Sequence, residues 1–214
     1  MENKVLAGTV QSGAAGFTPL AGVPVTLYRA TADVPVSIGQ AVTDEDGAFA
    51  ISVAEPEADT IYYATARYRP SVLLVAVVGP RIEGSITLNE MSTVAAAYSM
   101  AQFCDGTRIA GNAFGLRIAA GMNGNLVAPG NGMQSPVLLT PPNANQTIGL
   151  QTIGSLANML FQCLRYGGEF ERERAGFEFG GIEQVVDKFD QILRVALHHP
   201  HHVLLFGREF AEPP

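Results

Sequence analysis

Four histidines within five positions, "HHPHH" from His198 to His202, are the residues best suited by type to metal chemistry. Neutral imidazoles are good ligands for zinc, copper or nickel. A site needs the rings to converge, however, and Pro200 breaks a helix between the two pairs, so His198 and His202 need not share a face. No cysteine or carboxylate cluster accompanies them. The stretch reads as a solvated junction between two helices. Asp44, Glu45 and Asp46 bring three carboxylates together, but without the further ligands and spacing of a calcium loop. They read as turn residues.

Nucleophiles fare no better. A serine hydrolase of the α/β type needs Gly-x-Ser-x-Gly on a strand-to-helix turn, whereas Ser155 in "TIGSLAN" lies inside a helical pattern. Neither the phosphate-binding Gly-x-x-x-x-Gly-Lys motif nor a dinucleotide-binding Gly-x-Gly-x-x-Gly after a strand occurs. Cys104 and Cys163 lack metal-ligand spacing, have no histidine near them in sequence, and do not make a disulfide framework. Both are expected to be reduced core thiols on neighbouring helices. Tyr28, Tyr62, Tyr63 and Tyr68 are the aromatics available to stack on a sugar, but the chain has no tryptophan, and tyrosine on strands usually packs the sheet. Carbohydrate is therefore the alternative ligand rather than the leading one. No residue is assigned a catalytic, cofactor-binding or metal role, and no cofactor is expected.

The elements that position these residues fall into two halves. From residue 5 to about 88 the apolar pattern alternates, as in Val23, Val25 and Leu27, then Phe49, Ile51 and Val53, then Leu73, Val75 and Val77. "TDEDG" (Thr43 to Gly47) supplies aspartates that bond the turning backbone and a glycine free to take positive φ. Short β-rich runs between such turns indicate an antiparallel sandwich. After residue 90 the spacing becomes helical. "NEMSTVAAAYSMAQFC" offers Asn89 or Ser92 as N-cap, with Val94, Ala97, Tyr98 and Ala101 on one face. Further helices are expected over 112–127, over 147–166 with Ile153, Leu156, Leu160 and Cys163 in register, and over 181–199. The last carries Val185, Phe189, Ile192, Leu193 and Ala196 as its buried stripe. A short helix begins at Pro200, and residues 128–146 read as a Pro/Gly/Asn-rich surface loop.

The fold class expected is thus α+β by segregation, with an antiparallel β-sandwich over 1–89 and an all-α domain over 90–214. At 214 residues the chain can bury a real core. Only 15% of it is charged and 47% is hydrophobic, which reads either as a surface partly covered by a partner or as a Gly- and Ala-rich chain with many small exposed residues. The net charge of −7, with two lysines (Lys4, Lys188) against eleven arginines and no basic cluster, excludes nucleic acid. The longest apolar run, Val72 to Val78, is far short of the roughly 20 residues of a membrane helix. The opening "MENKVLAGTVQ" shows no basic segment followed by an apolar one, so no secretory leader is read there.

"AGTVQ" (Ala7 to Gln11), "PLAGVPVTLY" (Pro19 to Tyr28), "AVTDEDGAFAI" (Ala41 to Ile51) and "YYATA" (Tyr62 to Ala66) resemble the carboxypeptidase regulatory-like domain, a transthyretin-like β-sandwich of bacterial surface and modular proteins. The resemblance covers about 85 residues and implies a spacer, stalk or accessory role. Some relatives form internal Lys–Asn isopeptide bonds. Here the lysine position holds Gln11 or a neighbour, Lys4 lies too far upstream, and the glutamate region reads "YYATARY", so no crosslink is expected. "ITLNEMSTVAAAYSMAQF", "GLRIAAGMNGNLV", "TIGSLANMLFQCL" and "ILRVALHHPHHVLLFG" look like the helical segment that follows such sandwiches in large bacterial exported proteins. The resemblance implies an extracellular or cell-surface setting. The function expected is non-enzymatic: a structural or assembly protein contacting protein partners or further copies of itself. The contacts are expected at sandwich edge strands, at Val5 and Leu6, and at the tail "LLFGREFAEPP", where Phe206 and Phe210 sit four apart.

Overall fold

The architecture is that of a computed structural model that describes residues 4–13, 17–54, 57, 60–69, 72–140 and 148–166. The helix expected over 181–199, the His198–His202 stretch, Phe206 and Phe210 lie outside the described residues. What is described is a mixed α and β chain with several antiparallel sheets.

Strands come first: β1 (Lys4–Ser12), β2 (Thr18–Pro19), β3 (Pro24–Arg29), β4 (Val36–Val42), β5 (Ala48–Val53), β6 (Tyr62–Arg69), β7 (Val72–Gly79) and β8 (Ser85–Leu88). They form two four-stranded sheets. In one, β1 pairs antiparallel with β5 over Lys4–Thr9 and with β2 over Gln11–Ser12, and parallel with β8 over Ala7–Val10. The second runs β4-β3-β6-β7 with every pair antiparallel. Leu6, Val10, Phe49, Ile51 and Ile86 of the first sheet share one apolar cluster with Val25, Leu27, Ala64, Ala66 and Leu74 of the second.

Alternation holds in β3 and β5, where Val25, Leu27, Phe49, Ile51 and Val53 are buried between more exposed neighbours. Two strand-level expectations need correction. β8 joins β1 in parallel, Ala7 to Ser85 through Val10 to Leu88, so the first sheet is not purely antiparallel. The long excursion from β1 to β8 provides the crossover that a parallel pair requires. β7 is buried on both faces from Val72 to Val77, and β6 from Tyr62 to Ala66, because elements after Asn89 pack against this sheet as well, Ile109 against Tyr63 and a helix bonded along the edge at Val75. Strands covered on both sides are apolar throughout rather than alternating.

That helix is α1 (Glu90–Ser99), followed by a two-residue ladder of β9 (Cys104–Asp105) with β10 (Arg108–Ile109), then α2 (Ala113–Leu126). Next come a second short ladder of β11 (Val127–Ala128) with β12 (Met133–Gln134), α3 (Pro136–Leu139) and α4 (Ile148–Tyr166). Part of the expected 128–146 loop is therefore ordered into a turn and a helical turn. The switch from strands to helices falls at Asn89, and the apolar cluster continues across it through Val94, Leu116, Ile153, Leu156 and Leu160.

α1 is not the one-faced helix its spacing suggested. Residues 92 to 97 are all buried, and Tyr98, expected on the inner face, is exposed. Three consecutive alanines make this feasible, since they fill little volume on any side. Its polar residues are buried too, and each hydroxyl finds a backbone partner. Asn89 accepts from Ser92 N at 2.9 Å, and the Ser92 hydroxyl accepts from Asn89 N at 3.0 Å, a complete capping box. The Asn89 side-chain amide also donates to the Gly132 carbonyl at 3.1 Å. Gly132 holds φ +63°, and a Cβ there would stand 2.5 Å from that same amide nitrogen. Ser92 donates to Val75 O at 2.9 Å, and Val75 N donates to the Thr93 hydroxyl at 3.0 Å.

These two caps give a graded expectation. Asn112, exposed, caps α2 through Gly115 N at 2.7 Å and does nothing else described. Asn112→Ala should cost about 1 kcal/mol, the ordinary value of an N-cap. Asn89→Ala also strips a buried carbonyl of its donor and should cost about 2–4 kcal/mol. Urea unfolding of the two variants measures both, and equal losses would contradict the buried linkage to Gly132.

Candidate interaction surface

Buried ionisable groups are the first places to look for chemistry. Glu90 opens α1, is 4% exposed, and accepts from the Ser12 hydroxyl and from Gly13 N at 3.4 Å. Burial pushes its carboxyl above the usual value, and these hydrogen bonds pull the other way. No cation lies against it among the described contacts. The group ties the end of β1 to the start of α1, a structural task.

Tyr63 is the second. Its ring stacks on Tyr28 of the adjacent strand with centroids 5.2 Å apart and planes 14° from parallel. Its hydroxyl accepts from Ile109 N at 3.3 Å, and burial pushes its pKa up to about 12. Tyr62 points to the opposite face of β6, where its hydroxyl accepts from Glu57 N at 2.9 Å, beside the Arg29–Glu57 ion pair. Both rings are buried, so of the four tyrosines considered for sugar stacking only Tyr28 and Tyr68 retain part of their surface. The four do not form one platform.

Cys104 corrects an expectation. It lies on the two-residue strand β9 rather than on a helix, half-buried, with a free thiol whose pKa burial raises to about 11. Such a thiol is a poor nucleophile at neutral pH. Cys163 is on α4. Asp44 occupies one carboxylate oxygen with Asp46 N at 3.0 Å and Ala48 N at 2.8 Å, closing the turn before Gly47 at φ +70°. That is the turn-forming role read from the sequence.

The outer surface carries the more unusual arrangement. Sheet edges expose unpaired backbone groups that another chain can pair with. The edge of β7 is closed at Val75 by the Ser92 and Thr93 hydroxyls. The edge of β8 is covered at Thr87, whose N and hydroxyl bond Pro129 O at 2.8 Å and Gly130 O at 3.0 Å. β4 is different. From Val34 to Thr43 the sequence "VPVSIGQAVT" has no charge, and Val34, Val36 and Val42 are 60%, 41% and 64% exposed. Its backbone faces β3 at Thr43, which donates to Val23 O and accepts from Gly22 N. By the two-residue alternation of an antiparallel ladder, the backbone groups of Gln40 and Val42 then face outward. One irregularity interrupts the strand: an extra residue, Ile38, between Ser37 and Gly39.

Of the two residues expected at the start of the chain, Leu6 is fully buried in the core and Val5 is exposed; there β1 pairs with β5 alone, since its ladder with β8 begins only at Ala7. A second apolar patch lies on α2, where Phe114, Ile118 and Met122 face outward. The sequence reading had missed both patches as distinct features. The signals were present, as a ten-residue run without charge and as three large apolar residues four apart.

Glu90 gives a pH test. With the folded pKa raised above the unfolded value of 4.5, the folded state holds the proton more tightly, so stability falls as pH rises above 4.5 and through the folded value. In Glu90→Gln this component of the fall disappears. The difference in urea midpoint between variant and wild type should therefore move in the variant's favour from pH 4.5 to 7.5. A constant difference would show that Glu90 titrates normally in the folded chain.

No helix among the described residues is long and apolar enough to cross a membrane. No protein-family model matches the chain, and no curated protein matches it. Among solved structures, the 9R-lipoxygenase from Cyanothece PCC8801 is similar over 41% of this chain and 15% of its own length, at 14% identity and a TM-score of 0.28.

Proposed function

We propose that this chain is a non-enzymatic assembly protein whose strand-rich half, a transthyretin-like sandwich, pairs with a neighbouring protein through the open edge of β4. On this reading the residues after Asn89 form a mainly helical domain, interrupted by the short β9–β10 and β11–β12 ladders, that lies against the sandwich and closes the edges of β7 and β8. The setting is a bacterial surface or extracellular structure, as the resemblance of "PLAGVPVTLY" and "AVTDEDGAFAI" implies.

The observation that carries the reading is the contrast between edges. Proteins usually protect a solvent-exposed edge strand with charge, proline, a bulge or a covering element. Here α1 closes β7 and the turn at 129–130 covers β8, while β4 presents seven uncharged residues with only its bulge as interruption. An incoming strand gains backbone hydrogen bonds at Gln40 and Val42, and the exposed valines supply apolar contact. The low charge of the whole chain fits a surface that is partly covered.

The test is the mass of the full-length protein by size-exclusion chromatography with light scattering, with and without Val42→Lys. A lysine at this exposed edge position adds a charge that opposes pairing, and it leaves the β3 ladder intact. The wild type should elute as an oligomer, and the variant should shift toward the monomer with an unchanged circular dichroism spectrum. A wild-type chain that stays monomeric at high concentration, with no neighbour recovered by crosslinking, overturns the reading. Sugar binding through Tyr28 and Tyr68 is the function then to be examined.

A further inference from the structure

α2 buries Leu116, Ala119 and Asn123 and turns the opposite side outward. On that side Phe114, Ile118 and Met122, spaced four apart, are 68%, 60% and 39% exposed. Residues four apart form a continuous ridge along a helix. Gly121, beside Ile118 and Met122, has nothing within 4 Å of where its Cβ would be, so the surface next to the ridge is open at that position. The patch amounts to on the order of 300 Å², given that a large apolar side chain offers about 150–250 Å². A stable interface between separate proteins needs about 800 Å² from each partner. A patch of this size is too small to hold a second molecule by itself, whereas a tethered segment binds at an effective concentration in the millimolar range.

The chain supplies such a segment. Forty-eight residues follow Tyr166, and within them "GIEQVVDKFDQILRVALHH" (181–199) places Val185, Phe189 and Leu193 four apart, flanked by Ile192 and Ala196. Its ridge has the same period as that of α2. Two such ridges interdigitate at a crossing angle near −50°, the commonest class of helix packing. From Tyr166 to Val185 the chain can span up to about 60 Å, which reaches any face of a domain of this size. The charges also suit: α2 has Arg117 as its single charged residue, and 181–199 carries three acidic residues against two basic ones.

We propose that residues 181–199 dock as an amphipathic helix across the Phe114–Ile118–Met122 ridge of α2 in the same chain. Phe189 would then lie over the open position at Gly121. The contact is independent of pairing through β4, so either can fail without the other.

A photoreactive benzoylphenylalanine in place of Ile118 tests this in the full-length chain at low concentration. Irradiation should give an adduct within one chain that maps to 181–199, and Phe189→Asp should abolish it. An adduct joining two chains, an adduct mapping elsewhere in the chain, or no adduct overturns the proposal. As a second measurement, backbone amide exchange over 181–199 should be accelerated by Phe114→Asp, a change at an exposed position that leaves the buried side of α2 untouched. Exchange that is the same in both proteins also overturns it.

Discussion

The first turn of α1 is the point on which the described structure hangs. Within five residues, Asn89 to Thr93, its side chains reach the end of β1 through Glu90, the middle of β7 through Ser92 and Thr93, and the 127–134 turn through Asn89. All of these groups are buried, so each hydrogen bond is made where the alternative is an unsatisfied polar atom. A helix N-terminus begins with free N–H groups of its own. Here the capping box satisfies two of them and still leaves side-chain donors and acceptors for the sheet. One helical turn thereby sets the position of the helical layer relative to the strands.

That constraint explains why the two halves are not separable in packing terms even though they differ in element type. β6 and β7 are buried on both sides, and their apolar residues join one cluster with those of the first sheet and of the helices. Without the helical layer, Val72 to Val77 would present its outer side chains and the edge of Val75 to water. Glycine and alanine permit the close approach. Ala95, Ala96 and Ala97 occupy positions where larger residues would hold α1 away from its neighbours. The one aromatic of α1, Tyr98, points outward, and the small size of the buried residues is a packing requirement.

Much of this was legible in the sequence, and the reasons for the rest are physical. The turn at Asp44–Gly47, the cap narrowed to Asn89 or Ser92, and the inward Val25, Leu27, Phe49, Ile51, Val53, Ile153, Leu156 and Leu160 follow from local chemistry and from period. Period fails where burial comes from two directions. The all-round burial of α1 and of β7 cannot be told from a one-faced element by spacing alone, because alanine and valine satisfy both patterns. The parallel pairing of β1 with β8 depends on partners about 78 residues apart, and nothing local encodes it. Cys104 was placed on a helix because the helical pattern continues past Ser99, whereas the chain turns at Met100 into the β9–β10 hairpin. At the candidate surface, the uncharged run at β4 was visible, but only the sheet order identifies it as an edge.

The β1–β8 pairing has a consequence for the order of events during synthesis. β1 leaves the ribosome well before β8, yet the partner on one of its sides is residues 85–88 and the acceptor for Ser12 is Glu90. At about 5–20 residues per second, β1 waits several seconds before that neighbour exists. During that interval the hairpin of β3 and β4 and then β6 can assemble, because their pairings are close in sequence. β1 is thus among the last of these strands to be fully enclosed, and Leu6 and Val10 keep apolar surface in the nascent chain until residue 90 has emerged.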